Sequence, residues 1–165
     1  MMLKIKLLAM FIALIVAKGK CQTTDGDRDK IHKLLFSAIK KSQSDFTLLK
    51  TTRRTILKNF DFAHGGKTLS DDQKLPSNSK EWIEFIKGID TSKVTDYNLN
   101  ISRDKKSTTE VMFSPVMFSQ DGKKALCLSR TFDTKGIIGS EMAWYFKKNE
   151  EKWEIVEVYT HVFID

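Results

Sequence analysis

The sequence contains few of the residues that define special protein classes. Two cysteines, two prolines and eight glycines occur among 165 residues. This composition excludes a disulfide-rich scaffold, a collagen-like chain and a Pro/Gly-rich disordered chain. With 41% hydrophobic and 30% charged residues, the composition is that of one ordinary globular domain.

A long hydrophobic run is also lacking. The longest apolar run, from Leu7 to Ala17, has eleven residues, whereas a membrane-spanning helix needs about 20. Lys4 and Lys6 precede the run, as in the basic segment of a secretory signal peptide. We therefore predict a signal peptide at 1–21, one α+β domain at 22–165, and export to the periplasm or the medium.

The end of the predicted signal allows two outcomes. Gly19 and Cys21 place small side chains at the third and first positions before a cut that frees Gln22. The alternative is lipidation of Cys21, which would anchor the chain to a membrane. Lys20 stands where a lipobox usually has a small residue, so the pattern favours simple export. Acidic residues soon after Cys21 keep the lipoprotein alternative open.

Strong charge of one sign is missing from the mature chain. The formal charge of +7 includes four lysines of residues 1–21, which contain no acid; without them, 24 basic and 21 acidic residues leave +3. Nucleic-acid binding requires a clustered positive face. The remaining basic residues are interleaved with acids, as in 147–152, so no nucleic-acid partner is expected.

After cleavage, Cys127 is the single remaining cysteine, so an intramolecular disulfide is impossible. It lies in the middle of a predicted strand, between Leu126 and Leu128. We interpret it as a small buried apolar residue, because no helix N-terminus or neighbouring histidine in the sequence lowers the pKa of its thiol.

Two helices are predicted. Apolar residues recur at helical spacing from Asp29 to Ser42, with Asp27 as the N-cap. A second, short helix follows Asn78, which forms a capping-box pattern with Glu81, and ends near Gly88. The segment 45–62 has mixed strand and helix signals, and the structure of 45–75 remains open.

The last third predicts four strands. They are rich in aromatic and β-branched residues and cover 111–119, 124–132, 141–147 and 153–164. Short joints, including a turn at Asp121-Gly122, indicate an antiparallel meander. Pro115 lacks an N–H group and suggests an edge or bulge position. The fold class is α+β, with N-terminal helices packed on this sheet; the alternative is a nuclear-transport-factor-2-like cone.

The strand and turn residues carry a resemblance. The segments Phe113–Leu126, Tyr145–Lys148 and Lys152–Val156, with Glu81-Trp82 upstream, resemble a group of uncharacterised secreted or lipoprotein-like proteins of Bacteroidota over about 79–164. The resemblance implies export and an α+β fold, and it supplies no catalytic residues. Members of that group often carry cysteines in the loop that here contains Gly136 and Gly139, where this chain has none.

Motifs for catalysis or metal binding are lacking. The three histidines, His32, His64 and His161, are scattered, and no zinc-type spacing occurs. We therefore predict no cofactor, no metal and no catalytic residue. His64, beside Gly65-Gly66, is the first candidate for a general base.

Two classes of function remain. The first is a non-enzymatic envelope or secreted module that binds a protein or a glycan through loops and an exposed sheet face. The second is a cone-shaped pocket protein that binds a small apolar ligand or catalyses proton transfer. The sequence favours the first, because it shows no set of residues that together could form a catalytic site. In the second, ionisable groups would lie in a cavity on the inner sheet face; its candidate residues, besides His64, are Glu141, Trp144, Glu157, Tyr159 and His161.

Overall fold

The structure is a computed structural model that describes residues 25–43, 45–60, 62, 79–101, 107–133 and 138–164; for Asn59, Ile138 and 161–164 it describes the backbone. Its elements are α1 (Asp25–Ser42), β1 (Thr47–Leu48), a first 3₁₀ helix (Arg54–Asn59), α2 (Lys80–Lys87), a second 3₁₀ helix (Thr91–Lys93), β2 (Thr109–Phe113), β3 (Met117–Phe118), β4 (Lys124–Asp133), β5 (Ile138–Asn149) and β6 (Lys152–Ile164). The predicted α+β class, with a C-terminal antiparallel sheet, is confirmed.

The described strands form one six-stranded sheet. Its order is β1-β2-β4-β5-β6, and β3 pairs with β4 beyond the end of β2. The pairs from β2 to β6 are antiparallel, as predicted, whereas β1 runs parallel to β2. The turn at Asp121-Gly122 joins β3 to β4, and Gly122 adopts a φ of 65°.

Both faces of the sheet are covered. On one face, α1 contributes Ile31, Leu35 and Ile39 to a core that includes Trp144 and Phe146. On the other face, the first 3₁₀ helix and α2 form a second core around Leu126, Leu128 and Tyr145. This arrangement explains why alternate residues of β5 are apolar on both faces.

The start of α1 differs from the prediction. The helix begins at Asp25, so Asp27 lies inside its first turn and is not the N-cap. The Asp27 carboxylate is buried and accepts hydrogen bonds from Lys148 Nζ at 3.1 Å and Trp153 Nε1 at 3.1 Å. It therefore binds α1 to the paired ends of β5 and β6, a contact across more than a hundred residues of sequence that helix periodicity does not reveal.

Other boundaries are also corrected. The cap of α2 is Ser79, whose side chain accepts from the N–H of Trp82, while Asn78 lies outside the described residues. In β6, the register with β5 shifts between Tyr145 and Phe146, so Glu157 faces Tyr145 and Ile155 faces Phe146. Because a bulge reverses the alternation of side chains, Trp153 and Ile155 pack on the α1 face, which a regular strand would not allow.

The predicted strand 111–119 is broken in two. β2 ends at Phe113 and β3 begins at Met117. Phe113 faces Ser129 of β4 and Met117 faces Leu126, so the chain advances four residues across the break while β4 advances three. Pro115 thus lies in a segment with one extra residue at the border of the sheet, as its missing N–H suggested.

Candidate functional site

A groove lies between β3 with its following turn and the segment formed by α2 and the second 3₁₀ helix. Its volume is about 730 Å³, within the range of about 300–1,000 Å³ that is common for binding sites. The apolar part of its wall includes Phe85, Ile89 and Val94 on one side and Val116 and Met117 on the other.

One wall of the groove is the outer backbone edge of β3. Ser119 N–H donates to the Lys124 carbonyl at 2.9 Å. Facing residues in an antiparallel pair alternate between hydrogen-bonded and non-hydrogen-bonded. Since Phe118 faces Ala125 in the next pair, the N–H and C=O of Phe118 point away from β4 and toward the groove.

The neighbouring strand stops before it reaches this edge. Leu49 N–H donates to Val111 C=O and Arg53 N–H donates to Phe113 C=O. The chain from β1 to Arg53, called the β1 segment, therefore covers the outer edge of β2. After Arg53 the chain enters the first 3₁₀ helix. Among the described residues, no backbone hydrogen bond reaches Phe118 from the groove side. The groove therefore occupies the position where a further strand of the sheet would lie.

Arg28 and Tyr97 form one end of the groove. The guanidinium of Arg28 lies 5.0 Å from the centre of the Tyr97 ring, a distance typical of a cation–π contact. The Tyr97 hydroxyl accepts a hydrogen bond from Val116 N–H at 3.0 Å, and burial raises the pKa of this hydroxyl. Arg28 also pairs with Asp25 at 3.0 Å, and that carboxylate is 96% exposed. At this end, Arg28 is therefore held between the Tyr97 ring and the Asp25 carboxylate.

The other end carries charged groups of both signs. Lys124 Nζ, 10% exposed at its side chain, forms an ion pair with Glu81, and this hydrogen bond lowers the pKa of Glu81. The Asp121 carboxylate accepts from the Ser119 hydroxyl at 2.5 Å and from Lys123 N–H at 3.0 Å, and the Ser119 bond lowers its pKa. Glu84 follows Glu81 by one turn of α2. Lys80 Nζ lies 3.8 Å from Glu84 Oε1, and the charges of Lys147 and Lys123 act on Glu81 and Asp121. Basic groups therefore balance the carboxylates at this end.

A second cluster of reactive residue types lies in the core beside α1. Cys127 Sγ is 4.0 Å from His32 Nε2 and donates to Ser114 C=O at 3.3 Å. The expectation that no histidine lies beside Cys127 is wrong, because α1 packs His32 against β4. Burial raises the pKa of the thiol to about 12 and lowers that of the imidazole to about 4. Both groups are then neutral at pH 7, which disfavours the thiolate that nucleophilic catalysis requires. The prediction that Cys127 is buried is confirmed.

The sheet residues singled out from the sequence are divided between the two faces. Glu141 receives Arg130 Nη2 at 2.7 Å on the neighbouring strand. Glu157 is buried and Tyr159 is half-buried, and both lie on the same face as Glu141. Trp144 lies on the opposite face, where its Nε1 donates to Ser129 Oγ at 2.8 Å. The sheet thus separates Trp144 from these carboxylates, and none of these four residues lines the groove.

Three further candidates, His161, His64 and Cys21, have no side chain among the described residues. The backbone of His161 is opposite Glu141 in the register of β5 and β6. His64 and Cys21 lie outside the described residues, as does the predicted signal peptide.

The residues that form the groove escaped sequence analysis. Arg28, Glu81, Tyr97, Phe118 and Lys124 come from five separate segments, and no motif spacing connects them. Pro115 was the available signal, because a proline within a strand pattern marks an irregular sheet border.

Comparisons with known proteins identify no relative: no family model, curated protein or solved structure matches the chain. Within the described ranges, neither α-helix has the length and apolar character required to cross a bilayer. In the same part of the chain, no three or more His, Cys, Asp or Glu residues are placed to hold a metal ion.

Proposed function

We propose that the protein is an exported, non-enzymatic binding module that holds a segment of a protein or glycan of the envelope in the groove beside β3. One observation carries the proposal. The groove combines an apolar wall, charged groups held in place by ion pairs and backbone groups of Phe118 that face outward. Binding sites typically join apolar surface to a few positioned polar groups in this way.

The charged groups of the groove suit binding better than acid–base catalysis. Lys124 is held by Glu81, and Lys93 is held by Asp90 at 2.9 Å. The hydrogen bond from Ser92 and the contact with Lys93 lower the pKa of Asp90 to about 2, far from the neutral pKa of an efficient general base. Export rests on the basic and apolar N-terminal pattern, and the resemblance to secreted proteins of Bacteroidota supports it.

Gly88 offers a direct test of the groove. It lines the groove with φ −78° and ψ −6°, which any residue adopts. A Cβ there would meet only two carbonyl oxygens of α2, at 3.4 Å. Gly88→Trp therefore places a large side chain at the groove without straining the backbone, and Gly88→Ala is the matched control.

The experiment probes arrays of polysaccharide fragments and of synthetic peptides with the wild-type protein and both variants. We expect binding that Gly88→Ala retains and Gly88→Trp loses, with the bound material chemically unchanged after prolonged incubation. Binding that persists unchanged in Gly88→Trp, or conversion of the bound material into products, would overturn the proposal.

A further inference from the structure

We infer that the occupant of the groove is an extended peptide of a partner protein, which adds to the outer edge of β3 as an antiparallel strand. This inference rests on the proposed function and names the class of its ligand. It starts from the gap in the sheet, since the β1 segment covers β2 up to Phe113 and leaves β3 uncovered.

The backbone of β3 supplies the hydrogen bonds of such a complex. Phe118 directs both its N–H and its C=O into the groove, and an added strand pairs with both. Val116 shows that this edge attracts polar partners, because its outward N–H is bonded to the Tyr97 hydroxyl at 3.0 Å. The ring of Phe118 is engaged with Trp153, at 5.7 Å between centroids, so its backbone is the part left to the ligand.

The walls select the side chains of the peptide. Successive residues of a strand point to opposite faces, so every second residue meets the apolar wall of Phe85, Ile89 and Val94. The peptide should therefore alternate apolar and polar residues. A peptide strand presents an N–H and a C=O at the spacing that Phe118 requires, whereas the hydroxyl groups of a glycan have no such fixed spacing.

The test pans random dodecapeptides displayed on phage against the purified full-length protein. We expect enrichment of peptides in which apolar and polar residues alternate. Their affinity, measured by fluorescence anisotropy with the synthetic peptides, should be lost in Gly88→Trp. Asp45→Lys, at an exposed residue ahead of β1 that does not line the groove, should have no effect.

Amide hydrogen exchange measured by NMR supplies the decisive readout. Bound peptide should slow exchange of the Phe118 amide at least about tenfold, while the Met117 amide, which already faces β4, should change little. No enriched peptide, or enriched peptides that leave Phe118 unprotected, would overturn the inference. If a glycan binds instead and Gly88→Trp abolishes its binding, the strand inference fails and the proposed binding function stands; if neither class binds in the groove, both fail.

Discussion

At the scale of single residues, Asp27 shows how one buried carboxylate joins distant parts of the chain. Burial alone would raise the pKa of this carboxyl, but hydrogen bonds from Trp153 and Lys148 outweigh it and hold the pKa below its usual value. The Asp27 carboxylate is therefore charged in the folded protein at neutral pH. Lys148 Nζ, whose side chain is only 14% exposed, lies 3.1 Å from Asp27 and 3.7 Å from Glu151, so removing the Asp27 charge weakens one of its charged contacts.

Asp27→Asn is expected to lower the free energy of unfolding by about 2 kcal/mol, because it replaces two buried charge-assisted hydrogen bonds by weaker neutral ones. Chemical denaturation at pH 7 measures the change. Asp25→Asn is the matched control in the same helical turn, since that carboxylate is 96% exposed; its effect should stay below about 0.5 kcal/mol. Equal effects of the two substitutions would contradict the role of Asp27.

His32 makes stability depend on pH. Burial lowers its pKa from 6.5 to about 4, so below pH 6.5 the unfolded chain takes up a proton that the folded chain does not. Stability conferred by this histidine is complete above pH 6.5 and is lost as the pH falls toward 4. The total loss is on the order of 3 kcal/mol.

The corresponding variant is His32→Phe, which keeps a ring beside Phe113, the ring that His32 stacks on at 5.6 Å. The free energy of unfolding, measured at pH 7 and pH 4.5, should fall less in the variant than in the wild type. Identical losses in both proteins would show that His32 titrates normally in the fold.

At the scale of elements, two glycines occupy different backbone conformations. Gly122 has a φ of 65° in the turn between β3 and β4, whereas Gly88 caps α2 in the right-handed region. We expect Gly122→Ala to destabilise the fold by about 1 kcal/mol and Gly88→Ala to stabilise it by about 0.5 kcal/mol. Thermal unfolding of both variants tests the contrast, and a shift of the same sign in both would refute it.

The elements also separate what local patterns reveal from what they miss. The strands β4 to β6 and the turn at Asp121-Gly122 are confirmed, because alternation and turn chemistry act over a few residues. The first 3₁₀ helix and the two-residue strand β1 were not resolved by the sequence. Such short segments owe their form to their packing partners, here Leu126 and Leu128 for the 3₁₀ helix and Val111 for β1.

At the scale of the whole molecule, the predicted export of the protein can be measured. Mass spectrometry of protein expressed in a bacterial host with its native N-terminus should give a mature chain that begins at Gln22, or at pyroglutamate formed from it. A diacylglyceryl group on Cys21 would establish the lipoprotein alternative. An intact Met1 start on the folded protein would contradict export.

The sequence by itself determined the α+β class, the antiparallel meander, the main helices and the buried state of Cys127, because these follow from periodicity, turn residues and apolar content. Only the tertiary structure decided the groove, the pairing of Asp27 with Lys148 and Trp153, and the placing of His32 beside Cys127. The Asp27 contacts join residues 121 and 126 positions apart. Contacts of this kind depend on how helices dock on the sheet and where a neighbouring strand ends, and no local pattern encodes either.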